Sequence, residues 1–434
     1  MTLLALAPLV ALAALGRALL GSWLAPGVFF ALYWSLAFVV PLVIAPQDPV
    51  SAAAVLWVFL AAGAVFVGAL FGGGLDFGSV REQPGEAAIT PDARRPLALA
   101  AIGCAVLGLG APLIPLVSQG YGFTVFTSLK ALVSAAIELS VGRYSETYSP
   151  PALSQAALPL LSAGPVFAGA LAALRPRRVE KLAVVGVFLP PLLLTVTQTQ
   201  RAVTILAVVN WISAYLAVGV LLGRTSPFTR RHLVVAALGG LFAIVLAFVG
   251  AMVRVGASDL NAIADVAPKV LGGALGHATV FSQWFESGGA AAAPPTWGAY
   301  TFAGLYDALG IGQRRPGLFA ESVVLASGDE TNIYTMFRPL IQDFTLVGAL
   351  VALTVLGLIG GVAYRAVGRG RIELVPVLAG FYAMTLFSAI TSIWVYNSMM
   401  AVFVLFAVAT LAYGRYRRRV RGTAAVSYQP ATEQ

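Results

Sequence analysis

Long apolar runs broken by short polar connections organise this chain from end to end. Eleven runs of roughly 20 residues, the length that crosses a bilayer as a helix, fall at approximately 2–16, 27–45, 51–72, 97–118, 152–173, 182–199, 203–223, 233–252, 346–364, 374–391 and 395–413. The first resembles a signal peptide, but no basic residues precede it and Arg17 follows it. It is therefore read as a span that starts outside. Two connections are long. Residues 119–151 carry helical periodicity together with Lys130 and Glu138, the pattern of an amphipathic or re-entrant helix at the surface. Residues 253–345 open with a helix start at Ser258 and Asp259, pass through the glycine- and alanine-rich stretch "GGAAAAPP", and end on "TNIYTMFRPLIQDFTLVG". A connection of that length in a compact membrane protein usually carries function.

Composition agrees with the pattern. Of 434 residues, 59% are hydrophobic and 10% charged, against about 25% charged in a soluble domain. The expectation is one integral membrane domain over 1–434, all-α and polytopic, with a basic tail at 414–434. Cys104 stands alone, and His232 and His277 are the two histidines, so the sequence offers no His/Cys zinc constellation.

The net charge of +9 is mostly a topology signal. Alternating sides from the first run puts 19 of the 27 basic residues on one side, at every connection assigned to the cytoplasm. Arg175, Arg177, Arg178 and Lys181 form one such group, and Arg415, Arg417, Arg418, Arg419 and Arg421 another. The acids run the other way, 7 inside and 11 outside. Nucleic-acid binding is not needed to explain the charge.

Polar groups at the opposite face do need explaining, because charge at the membrane is costly. Arg201 follows Gln198 in the tight turn "TQTQRAVTIL". It reads either as an interfacial arginine or as a ligand for an anion, helped by the helix start behind it. Arg254 in "AMVRVGASD" and Arg338 before the ninth run have the same two readings. Spacing of three and four predicts Tyr334, Thr335, Arg338 and Gln342 on one helical face, with Asp343 available to pair Arg338. Three arginines at one face suit a diphosphate near the lipid surface. A base would come from the carboxylates at this face (Glu138, Glu146, Asp259, Asp265, Glu286, Asp307, Glu321, Asp329, Glu330, Asp343), from His277 or from a tyrosine. Trp284, beside Glu286 in "FSQWFE", could floor a sugar site, and His277 sits on an apolar helix where a structural role is the better reading. No nucleotide-binding glycine loop occurs in a meaningful setting; "FGGGLDFG" is a turn after a span.

With these residues in view, "TNIYTMFRPLIQDFTLVGALVALTVLGLIGGVAYR" resembles the segment that enters a late span in Wzy-type polymerases of bacterial O-antigen and capsule repeat units. The matching positions are Asn332, Tyr334, Thr335, Arg338, Asp343, Phe344 and Gly348; Thr345 stands where that family usually has glycine. "TQTQRAVTILAVVNWISAYL", "PTWGAYTFAGLYDALG" and "ALYWSLAFVVPLVI" look like further family segments. The resemblance implies a GT-C-type glycosyltransferase of about eleven transmembrane helices in the bacterial inner membrane, active at the periplasmic face without metal or cofactor. It implies an undecaprenyl-diphosphate-linked glycan as donor and as acceptor, membrane lipid around it, and a chain-length regulator protein as partner. Arg201, Arg254 and Arg338 would bind the diphosphate with Gln198, Tyr334 and Trp284 nearby, and Glu286, His277 or Asp343 would serve the attacking hydroxyl. The rivals are an O-antigen ligase and a flippase or transporter of the same lipid-linked units. A ligase of that kind relies on a histidine late in the large loop, whereas His277 comes early; a carrier predicts charges in mid-span.

Overall fold

The computed structural model describes residues 2–73, 93–144, 148–198, 200–226, 270, 272–290, 294–311, 319, 321–326, 328 and 330–426. The predicted span 233–252, Arg254, the helix start at Ser258 and Asp259, and the carboxylates Glu146, Asp265 and Asp329 lie outside these residues.

The described chain is almost wholly helical. Among the described residues, eight helices are long and apolar enough to cross a membrane: α2 (Pro26–Ile44), α3 (Ala52–Gly73), α4 (Arg94–Ser118), α6 (Ala152–Ala173), α7 (Glu180–Gln198), α8 (Arg201–Leu221), α11 (Phe337–Gly368) and α13, whose apolar part is Asn397–Arg419. Shorter apolar helices, Leu4–Leu20 within α1 (Thr2–Leu20) and Ile372–Phe387, which contains α12 (Val375–Phe387), match the predicted runs 2–16 and 374–391. The chain is a multi-pass membrane protein. The remaining α-helices and strands among the described residues belong to the two long connections. Helix α5 (Leu129–Tyr144) occupies the first, as expected. Helices α9 (His277–Glu286) and α10 (Ala303–Ala308) and a two-stranded antiparallel hairpin, β1 (Val323–Val324) with β2 (Glu330–Thr331), occupy the second. One boundary moves: the run predicted from 346 is preceded by helix already at Phe337, so the polar stretch is helical from that residue on.

Lipid supplies no hydrophobic drive between helices, so close backbone approach has to hold them together. The most extensive helix pair, α3 with α11, does this with reciprocal small-xxx-small motifs. A Cβ at Gly68 would fall on the carbonyl oxygen of Thr354, and one at Gly72 on that of Leu358. In return Gly357 faces the carbonyl of Val65 and Gly361 that of Ala69.

Helix α9 plugs into the outer ends of α2, α3 and α11. Its Phe281 lies 6.1 Å from the Trp57 ring and 5.7 Å from Phe337, and Phe337 lies 4.5 Å from Trp34. Ser282 Oγ accepts the Ser51 N–H at 2.7 Å, which ties α9 to the start of α3. The Met336 N–H donates to the Ser388 carbonyl at 2.7 Å, and Tyr33 Oη donates to the Leu386 carbonyl at 2.9 Å. The ends of α2 and α12 and the starts of α3 and α11 therefore share one face of the molecule.

Candidate functional site

The start of α11 builds the site at that face. Phe337 is fully buried in the aromatic cluster, and this anchors the first turn of the helix. The next residue, Arg338, enters a cage. Its guanidinium carbon sits 3.8 Å from the Phe319 ring centre, 4.0 Å from Tyr334 and 5.4 Å from Trp284. Only 4% of the side chain is exposed. Nη2 is ion-paired with the Glu321 carboxylate, whose own side chain is 71% exposed. Nε and Nη1 have no hydrogen-bond partner.

The physics of this arrangement is asymmetric. Taking a guanidinium out of water costs several kcal/mol even after relaxation. Three rings recover part of that through their negative faces, about 1–2 kcal/mol for a desolvated contact. Glu321 supplies one charge partner from the solvent side. Rings cover the faces of the guanidinium plane but cannot accept its in-plane N–H donors. Two buried nitrogen donors are therefore left without an acceptor.

The hairpin creates the cage. Val323 pairs with Thr331 and Val324 with Glu330, which folds Phe319 and Glu321 back over Tyr334. Tyr334 Oη donates to the Glu321 carbonyl at 3.1 Å, and Asn332 Nδ2 donates to the Phe319 carbonyl at 3.1 Å. Asp48, between α2 and α3, pins the hairpin by accepting the Ala326 N–H at 2.8 Å. Tyr300 stacks on Phe319 at 5.5 Å. Burial raises the Tyr334 phenol above its ordinary range, partly offset by the Arg338 charge beside it.

Among the described residues, three of the four non-glycine positions with positive φ lie around this site: Trp297 (54°), Thr335 (67°) and Thr345 (67°). Strain of this kind persists only where the surroundings impose it, and it gathers at functional sites.

The other predicted residues take distinct places. Tyr334 and Arg338 do meet, but not on one helical face: α11 begins only at Phe337 and Thr335 breaks the regular backbone, so the contact is made across a turn. The partner of Arg338 is Glu321, not Asp343. Asp343 is wholly buried and holds the 296–301 loop. Its Oδ1 accepts from Thr296 Oγ1 at 2.5 Å and from the Tyr300 N–H at 3.1 Å, and its Oδ2 from the Thr301 N–H at 2.6 Å. His277 is buried with Nε2 3.0 Å from the Ala37 carbonyl, and burial holds its imidazole below the ordinary histidine range. That is the geometry of a structural histidine. Glu286 is exposed at the last residue of α9. Trp284 is buried as a wall of the arginine cage rather than an open sugar platform. Gln198 and Arg201 stand on other elements: Gln198 is buried at the end of α7, accepts from Gln200 Nε2 at 2.7 Å and donates to the Ala111 carbonyl at 3.5 Å, and Arg201 opens α8 half-buried.

Sequence reasoning did not single out Phe319, and it left Glu321 as one of ten carboxylates. Both reach the site through the hairpin, for which "ESVVLASGDET", a β-branched pair followed by a glycine turn, was the available signal. No protein-family model, curated protein or solved structure matches this chain.

Proposed function

We propose that this protein is a membrane glycosyltransferase that joins lipid-diphosphate-linked oligosaccharide units, in the manner of a repeat-unit polymerase, at the face bearing the Arg338 cage. The observation that carries the reading is a buried arginine with two unpartnered donors beside an exposed carboxylate at the mouth of a membrane helix. In this reading the donor is a glycan on an undecaprenyl diphosphate. A hydroxyl oxygen of the incoming unit attacks the anomeric carbon. The bond from that carbon to the diphosphate oxygen breaks, and its electron pair leaves on the phosphate. Arg338 meets the charge as it develops, which stabilises the transition state more than the ground state. Glu321, at the solvent side of the cage, takes the hydroxyl proton; the commitments of Asp343 and His277 speak against them for that task. Arg201 and Arg254 are assigned as further ligands of the donor.

A face-located enzyme is favoured over a carrier because charged side chains within the eight long helices stand near helix ends rather than in mid-span. In a host that makes the cognate repeat unit, deletion should leave single units on the lipid carrier, and the restored gene should return a ladder on a glycan gel. Arg338→Ala should lose the ladder by a factor of about 10²–10³, the usual effect of removing one preorganised charge stabiliser, with protein still in the membrane. Arg338→Lys should fail too, because an ammonium cannot present the fork. A normal ladder from both variants would overturn the anion site. A ladder on the carrier that never reaches the final acceptor would make the protein a ligase, and loss of single units from the outer face would make it a flippase.

A further inference from the structure

The segment 296–311 shows an apolar surface that the glycosyl-transfer reading does not use. Trp297 is 74% exposed and Leu309 63%. Phe302, Leu305 and Ile311 are exposed beside them. Phe302, Leu305 and Leu309 recur at three- and four-residue spacing from one cap of α10 to the other, while Thr301 and Gly304 are buried. The segment is nevertheless well fixed. Asp343 holds Thr296, Tyr300 and Thr301, and the Trp297 N–H donates to the Asp343 carbonyl at 3.1 Å. Gly304 packs directly on the backbone of Tyr396 and Asn397, and the Asp307 carboxylate accepts from Asn397 Nδ2 at 3.1 Å. The segment thus lies across the mouths of two membrane helices, α11 and α13.

Its level can be worked out. Regular helix in the inner part of α11 starts after the break at Thr345 and is strongly apolar. From Leu346 to Gly368 it is about 34 Å long at 1.5 Å per residue, which matches a hydrocarbon core of about 30 Å. The break therefore marks the outer membrane boundary, and Asp343 and Trp297 stand at the headgroups. Val347, Val351 and Val355 are all exposed and form the lipid-facing stripe of α11, starting just below. Trp297 is bonded to Asp343, two residues outward of the break, so the exposed side chains of 297–311 stand at that boundary. Tryptophan and short amphipathic helices are the elements that settle in this zone.

We infer that residues 297–311 are an interfacial anchor, with Trp297, Phe302, Leu305, Leu309 and Ile311 inserted into the headgroup–acyl boundary of the bilayer. Through the Asp343 clamp this anchor fixes the height of the first turn of α11, so the Arg338 cage is held at the level of lipid phosphates whatever it binds.

The test uses the whole protein in phospholipid nanodiscs. With Cys104→Ala removing the single native thiol, Leu309→Cys is labelled with an environment-sensitive nitrobenzoxadiazole probe. Val351→Cys serves as a lipid-facing reference and Glu286→Cys as an aqueous one. The expected result is blue-shifted emission at 309, quenched several-fold more by lipid carrying a spin label at acyl carbon 5 than by aqueous iodide. Ile311→Cys should behave alike and covers the case in which the 309 variant does not fold. Emission and iodide quenching equal to those at position 286 would overturn the anchor. So would quenching by neither agent, since the surface would then be covered by protein. Neither result depends on catalysis, so failure here leaves the glycosyltransferase reading untouched.

Discussion

Replacing Asp343 with asparagine separates a structural carboxylate from a chemical one. The side chain is wholly buried and receives three donors: Thr296 Oγ1 at 2.5 Å, the Tyr300 N–H at 3.1 Å and the Thr301 N–H at 2.6 Å. An amide keeps one oxygen and introduces an N–H₂ group. If the oxygen stays toward Thr296 and Tyr300, the new donor faces the Thr301 N–H; turned over, it faces the Tyr300 N–H. Either way one buried backbone donor loses its acceptor. A bond to a charged group contributes about 1.5–3 kcal/mol and a stranded buried donor costs about 1–3 kcal/mol. Asp343→Asn should therefore lose about 2–5 kcal/mol, read by equilibrium unfolding in mixed micelles, and protease should cut more readily within 294–311. Thr296→Ala removes only the hydroxyl partner and should lose about 1 kcal/mol. The two changes should couple rather than add, because they share one hydrogen bond. A variant Asp343→Asn with wild-type stability and no product would refute this reasoning and return Asp343 to the chemistry.

Two further substitutions probe α11 itself. Thr345→Gly should stabilise the protein by about 0.5–2 kcal/mol in the same unfolding assay, because the observed φ of 67° and ψ of 175° suit glycine alone, less the entropy that glycine adds to the unfolded chain. Gly361→Leu should drive α3 and α11 apart by placing a side chain on the Ala69 carbonyl, and the protein should melt earlier or fail to accumulate in membranes, whereas Gly63→Ala, which meets nothing within 4 Å, should be neutral or mildly stabilising.

Much of the layout was legible because lipid demands long apolar helices with satisfied backbones, and a sequence cannot hide them. Ten of the eleven predicted runs have a described helix; the run at 233–252 lies outside the described residues. Arg338 was legible for a related reason: a charge placed where burial is expensive stands out. Its surroundings were not. Phe319 and Glu321 approach it through a hairpin that is weak as sequence and strong as geometry, since Asp48 and Tyr334 hold it from outside the strands. The loop contacts of Asp343 were not legible either, because a carboxylate looks the same in sequence whether it meets solvent or three loop donors. Thr345 was readable as a departure from glycine, but its backbone geometry was not.

That geometry decides how the site is aimed. Seven residues are two turns of helix and return to nearly the same face. Val347 and Val351 look out at lipid. In an unbroken α11, Leu340 would lie two turns before Val347, and Phe337 four turns before Val351, so both would join the lipid-facing stripe. They are instead 7% and 0% exposed, with Phe337 in the centre of the aromatic cluster. The non-helical residue at 345 re-phases the first two turns of the helix against the rest. The lower part stays fixed in rotation by backbone contact through Gly357 and Gly361, and the upper part is free to bury Phe337 and turn Arg338 into its cage. The strain at Thr345 is thus tied to the site by geometry. It lets one helix present a lipid-facing stripe along the bilayer and a buried arginine at its mouth, which no single helical phase could do.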